Sequence, residues 1–149
     1  MRPSSERHTP IQLSTLRATA RRSANFSHTI TIRDHQLVAD EPRSLGGDDE
    51  GPNPEELLAA SLASCTAITI EMYAQRKGWD VGPVEIDVEY SPAERGCPTK
   101  FELVLHLASA LSDEQVDQLR VIAAKCPIHR TLDGEVMFTE RVERVNLTR

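Results

Sequence analysis

Residues 57–70 of this chain carry no charged side chain. They lie inside a helical pattern over 53–77, in which Leu58, Leu62, Cys65, Ile68 and Met72 recur at steps of three and four, with Leu57 beside them. That stripe is expected to be buried. Ala, Ser and Thr fill the positions off the stripe, so the helix has no charged face over this length. Such a helix is central, covered by sheet or by a second subunit. In a chain of 149 residues with only 4% aromatics, a second subunit is the expected cover, and a homodimer follows.

The helix ends are marked. Asn53 is a good N-cap, Pro54 falls at N1 where its missing N–H costs nothing, and Glu56 at N3 completes a capping-box-like pattern. Gly78 is a natural stop. Before the helix, residues 11–19, 26–33 and 36–39 read as strands, with a tight turn at Asp34-His35. In the second, Phe26, His28, Ile30 and Ile32 share one face, and Ser27, Thr29 and Thr31 the other. Pro42, Gly46, Gly47, Gly51 and Pro52 break the chain between the third strand and the helix.

After the helix, Val84, Ile86, Val88 and Tyr90 alternate with acids, and Phe101, Leu103, Leu105 and Leu107 alternate with Glu102, Val104 and His106. These two runs read as an antiparallel pair joined by loop 91–99. Ser112 with Gln115 marks a second capping box, and its helix turns Val116, Leu119, Ile122 and Ala123 inward. Pro127 interrupts that helix; a short turn of helix restarts there and stops near Gly134, and residues 135–145 read as a last strand. The order is βββ-α-ββ-α-β, an α+β class with mostly antiparallel pairing.

The length suits one domain, read as residues 11–149 behind a flexible arm over 1–10. With 39% hydrophobic and 27% charged residues the composition is that of a soluble globular chain. No run of about eighteen apolar residues is seen, so no membrane span is expected. Arg2 and Arg7 near the start are followed by no apolar core, so no secretory signal is expected, and a cytoplasmic, reducing setting follows. Lys plus Arg is 17 against 23 Asp plus Glu, a net −6 that argues against broad nucleic-acid binding. The charge is uneven: residues 1–24 hold five Arg and one Glu, and residues 40–56 hold seven acids and one Arg. These read either as a solvated arm and an acidic loop, or as an Arg meeting an acid across the fold.

Three cysteines are too few for a disulfide scaffold, and their odd number leaves a thiol free. Cys65 lies mid-helix on the apolar stripe. Cys126 falls at the N-cap of the short helix after Pro127, where backbone N–H groups favour a thiolate. Cys97 sits in the polar loop Arg95-Gly-Cys-Pro-Thr-Lys100 and reads as incidental. Each of the first two is compatible with a bland buried role. Cys126-Pro-Ile-His129 has a metal-ligand spacing, but zinc needs a second such pair and the sequence has none. A Cys–His hydrolase would need His129, His106 or His28 as base, and nothing in the spacing selects one. A redox pair is the third reading. Cys65 and Cys126 lie on two helices that each bury an apolar face, and packed helices can bring two Cα atoms within disulfide range.

Gly51-Pro-Asn-Pro-Glu-Glu-Leu-Leu-Ala-Ala-Ser-Leu-Ala-Ser-Cys65 resembles the Asn-Pro-Glu helix start and mid-helix cysteine of the OsmC/Ohr family of peroxide-detoxifying proteins. Lys125-Cys-Pro-Ile-His-Arg-Thr-Leu132 resembles that family's second cysteine motif. Ala39-Asp-Glu-Pro, Gly46-Gly47 and Met72-Tyr-Ala-Gln-Arg-Lys-Gly-Trp79 resemble the OsmC-like branch. The likeness covers nearly all of residues 14–145.

The resemblance implies an intertwined homodimer with two sites at the subunit interface and no metal, haem or flavin cofactor. It implies a thiol peroxidase in which Cys65 attacks a hydroperoxide and Cys126 resolves the sulfenate to a disulfide. An external dithiol, such as a lipoyl group, then reduces that disulfide. It also implies that Glu55 pairs with an Arg from the early strands that anchors the substrate oxygen. Arg22 is the candidate, with Arg17, Arg21 and Arg43 as alternatives. Ten residues separate Glu55 from Cys65, about 15 Å along one straight helix. Either the helix breaks between them or the partner subunit supplies the Glu. His129 and Arg130 depart from the small polar residues usual after Cys-Pro in the strict organic-hydroperoxide enzymes. The alternative function is a small-molecule or acyl-chain binding module on the same fold, with Cys65 as a lining residue.

Overall fold

A computed structural model describes residues 15–146, which include two compact units that meet between Pro54 and Glu55. The flexible arm expected over 1–10 lies outside the described residues, as does the start of the strand expected over 11–19.

The first unit is a three-stranded antiparallel sheet in the order β1 (Thr19–Ala24), β2 (Ser27–Ile32), β3 (His35–Ala39). The first strand therefore begins where residues 11–19 were expected to end, and Arg21 and Arg22 lie inside it rather than after it. β1 has no apolar alternation, and all six of its residues are exposed; it is fixed by its ladder to β2, with Arg22 opposite His28 and a bulge before Ala24. Asn25 and Arg33 take φ of 40° and 55° to close the two hairpins. The second turn is Arg33-Asp34, one residue earlier than expected, because β3 already starts at His35.

The acidic stretch after β3 is built rather than merely solvated. Asp40 is buried, and its carboxylate accepts the N–H groups of Glu41 at 2.8 Å and Glu50 at 3.1 Å. Its own N–H reaches the Pro52 carbonyl at 3.2 Å, closing the loop. Burial works to raise the Asp40 carboxyl, but the N–H groups of Glu50, Glu41 and Asp48 outweigh it and hold the group below the usual carboxylate value. A Cβ on Gly47 would run into the Glu41 backbone, so only glycine fits there.

The second unit has the order α1 (Pro54–Lys77), β4 (Glu85–Ser91), β5 (Lys100–His106), α2 (Asp113–Ala123), α3 (Pro127–Leu132). α1 follows Asn53 and is unbroken. It ends in a Schellman motif, with Gly78 at φ 69°, its N–H on Gln75 O at 3.1 Å and Trp79 N–H on Ala74 O at 2.9 Å. β4 and β5 pair antiparallel with Ile86 opposite Leu105 and Tyr90 opposite Phe101, and both alternate half-buried with exposed residues. The Ser112 box closes as expected: Gln115 N–H to Ser112 Oγ at 3.2 Å, and Ser112 N–H to Gln115 Oε1 at 2.9 Å.

Ile70, Ala74, Val81, Leu119 and Ala123 form the core of this unit, with Ile86 and Leu105 packed against it. Burying a side chain of the size of Ile70 or Leu119 contributes about 1.5–3 kcal/mol. The buried face of α1 is Leu62, Thr66, Ile70 and Ala74. This corrects the expected stripe: Ile68 and Met72 remain 53% and 58% exposed. Thr66 can be buried because its hydroxyl bonds back to Leu62 O at 2.8 Å.

Two further expectations change. By length and an 18-residue mean hydropathy of 1.4, α1 is apolar enough to cross a membrane, although no such run was read from the sequence. In this structure one face of α1 carries part of the core. Residues 135–145 are not a strand, since a strand requires a ladder and none of the described residues supplies one. Val136, Met137 and Phe138 are exposed there. The result is an α+β fold with small antiparallel sheets and three helices.

Candidate functional site

The second unit brings Cys65 and Cys126 together. Cys126 is fully buried at the N-cap of α3, and its Sγ accepts the His129 N–H at 3.2 Å. Pro127 at N1 has no N–H. The next backbone N–H, that of Ile128, bonds to the Cys65 sulfur. The two sulfurs lie close enough that Cys126 perturbs the Cys65 thiol. Thus the first turn of α3 offers two amide hydrogens, and each goes to one of the two sulfurs.

Cys65 is half-buried in the third turn of α1, and its carbonyl accepts the Thr69 hydroxyl at 2.7 Å. Burial pushes the Cys65 thiol above its ordinary pKa. The Ile128 N–H opposes this, the neighbouring Cys126 sulfur adds to the rise through hydrogen bonding and charge, and the Thr69 hydroxyl opposes it again. No guanidinium is among these influences. Cys97 is exposed in the β4–β5 loop, where its backbone pairs with Glu94 across a tight turn.

Glu55 stands in the first turn of the unbroken helix, about 15 Å of rise from Cys65. The first alternative, a helix break between them, is thereby removed. The Glu55 carboxylate instead accepts the Tyr90 hydroxyl at 3.4 Å. Burial and the Glu55 charge both raise the Tyr90 phenol. Arg22 belongs to the first unit, where its Nε donates to Asn25 O at 2.6 Å.

A cleft of about 530 Å³ opens beside this region, lined by Leu58 and Leu62 of α1, Phe101 and Leu103 of β5, and His129 and Leu132 of α3. Tyr90, Thr99, His129 and Asp133 add polar groups to these apolar walls. The Cys126-x-x-His129 spacing is used for helix capping, through a backbone N–H. Glu85, Asp87 and His106 place ligand atoms within 4.8 Å of one another on the exposed sheet face, and His106 Nε2 lies 2.7 Å from Asp87 Oδ2. The Asp87 carboxylate raises the His106 pKa.

The sequence reading missed Tyr90, Thr66 and the Ile128 N–H. Thr66 carried a signal, a hydroxyl residue beside the cysteine in a stretch that must be buried. The other two depend on how β4 and α3 approach α1.

Comparison with known proteins identifies the family of the chain. The sequence model of the family described as OsmC-like protein matches residues 47–141. An uncharacterized protein of Acinetobacter baylyi is 29% identical over 114 residues, covering 74% of this chain and 78% of that protein. The crystal structure of an organic hydroperoxide resistance protein OsmC from Legionella pneumophila superposes with TM-score 0.62 and 26% identity, over 82% of this chain and 91% of that one. An OsmC-like protein of Mycoplasma pneumoniae shares the fold at TM-score 0.70 and 21% identity, over 81% of this chain and 89% of that one. The paired cysteines thus sit in a chain that belongs to the OsmC-like protein family.

Proposed function

We propose that this protein is a cofactor-free thiol peroxidase that reduces organic hydroperoxides, and hydrogen peroxide as a smaller substrate, in oxidative-stress defence. The observation that carries the reading is the proximity of Cys65 and Cys126, close enough for Cys126 to perturb the Cys65 thiol, with an amide of α3 facing each sulfur. The hydroperoxide-resistance role printed for the Legionella relative supports it.

In the first step the Cys65 thiolate attacks the distal peroxide oxygen. The S–O bond forms, the O–O bond breaks, and the leaving alkoxide takes a proton to become an alcohol. In the second, the Cys126 thiol condenses with the Cys65 sulfenic acid, forming the disulfide and releasing water. An external dithiol, such as a lipoyl group of a partner protein, reduces the disulfide and is itself oxidised. The leucines and Phe101 of the cleft beside α1 suit the hydrocarbon part of an organic hydroperoxide, and its polar residues suit the peroxide end.

A raised thiol pKa opposes the first step, so the reading needs a cation at Cys65. Arg22 is assigned that part, with Glu55 of the partner subunit as the acid that fixes it. A homodimer supplies both this and a cover for Ile68, Met72 and the apolar side chains of 136–138. The setting assigned is a reducing, cytoplasmic one.

The test is a thiol count after excess cumene hydroperoxide. Loss of two thiols of three, mapped to Cys65 and Cys126, is expected. Three intact thiols overturn the peroxidase reading and favour a small-molecule or acyl-chain binder using the same cleft.

A further inference from the structure

Thr66 is the one hydroxyl residue in the buried face of α1, and it is as fully buried as Cys126. Its Oγ1 lies 2.8 Å from Leu62 O and 3.7 Å from Cys126 Sγ. A threonine hydroxyl has one hydrogen and two lone pairs. With the hydrogen on the Leu62 carbonyl, the side turned to Cys126 is an acceptor. The Cys126 sulfur receives the His129 N–H from another direction at 3.2 Å. The sulfur accepts from His129, and the Thr66 hydroxyl stands within donor range of it. If Cys126 loses its proton, rotation about the Cβ–Oγ1 bond carries the hydroxyl hydrogen from Leu62 O to the sulfur. The freed Leu62 carbonyl keeps its helical backbone bond, so the exchange leaves no buried donor unpaired.

We infer that Thr66 is a positioning residue for the second step, its hydroxyl holding the Cys126 sulfur in place and donating to it as it attacks the oxidised Cys65. This rests on the peroxidase reading. In the step itself, Cys126–SH and Cys65–SOH give the S–S bond and one water. The S–O bond breaks, the thiol proton leaves with the hydroxyl, the sulfenic sulfur is reduced and the thiol sulfur is oxidised. Thr66 ends with its own hydrogen.

The experiment separates the two steps in a Cys97→Ser background. Peroxide is mixed with protein, dimedone traps the Cys65 sulfenic acid, and mass spectrometry follows adduct, disulfide and sulfinic acid over time. Thr66→Val keeps the shape and removes the hydroxyl. It is expected to oxidise Cys65 within about twofold of the parent rate. Disulfide closure should slow at least tenfold, with dimedone adduct and sulfinic acid accumulating. Thr66→Ser is expected to restore closure. A Thr66→Val protein that closes at the parent rate overturns the inference and leaves the peroxidase reading standing, as does one that Ser fails to rescue. If the parent itself forms neither adduct nor disulfide, the peroxidase reading falls. Should Thr66→Val not fold, Thr66→Ala against Thr66→Ser makes the same comparison.

Discussion

Cys65 comes from a helix and Cys126 from the cap of another, yet their sulfurs lie close enough for Cys126 to perturb the Cys65 thiol, and amides of α3 face both. In the proposed mechanism Cys65, the less buried of the two, is the attacking thiol, and the fully enclosed Cys126 is the resolving one. Cys65→Ser should therefore abolish peroxide consumption. Cys126→Ser should use about one equivalent per subunit to form the Cys65 sulfenic acid and a second as Cys65 over-oxidises to the sulfinic acid, and then stop. Peroxide electrodes and intact mass give both results. Undiminished turnover in Cys65→Ser would remove the assignment.

The raised Cys65 pKa gives a pH test of the proposed cation. Alkylation tracks thiolate, so its rate rises with pH and levels off above the thiol pKa. In Arg22→Ala the midpoint should move up by about one unit, roughly a tenfold loss of thiolate near neutral pH. Arg17→Ala, Arg21→Ala and Arg43→Ala should leave it in place. Iodoacetamide kinetics in the Cys97→Ser background read this directly, and a shift in Arg21→Ala instead would transfer the role.

Asp40 makes the acid side of the stability profile specific. Its folded pKa lies below the unfolded one, so its contribution is complete above the unfolded value. It fades as pH falls through the folded value. Asp40→Asn should lower stability at neutral pH and flatten the loss on acidification, as followed by denaturant unfolding across the pH range. Equal acid sensitivity in the two proteins would mean that another carboxylate dominates.

Ile68 and Met72 project from α1 without burial in the single chain. If a second copy covers them, Ile68→Glu places an unpaired charge in an apolar contact and should shift the sedimentation profile toward monomer. Unchanged sedimentation in that variant, or a monomeric parent, would exclude this face as the interface.

Much of the second unit was legible because its signals are local. Asn53-Pro54 and Gly78 bracket α1, Ser112 and Gln115 close their box, and Cys126 was placed correctly as an N-cap before Pro127. β1 was misplaced because Thr19–Ala24 has no apolar period; its strand state comes from pairing with β2. The buried face of α1 was misjudged for a related reason. Thr66 looks polar in a sequence but satisfies its hydroxyl on Leu62, which frees it to be buried while Ile68 is not. Residues 135–145 have a strand's composition but, among the described residues, no ladder. The residues alone left the Cys65–Cys126 pair as one of several chemistries, and the family resemblance selected it; the structure brings the two cysteines together.

Pro127 has a consequence for a protein that must pass repeatedly between two oxidation states. A helix start ordinarily leaves several amide hydrogens that need water or a capping group. Here proline deletes one, and the sulfurs of Cys65 and Cys126 take the next two. A disulfide sulfur still carries lone pairs, so both amides can keep their acceptors after the two sulfurs join. The helix start then needs no new water or side chain in either state, and α3 can serve as a fixed wall against which the bond is made and broken.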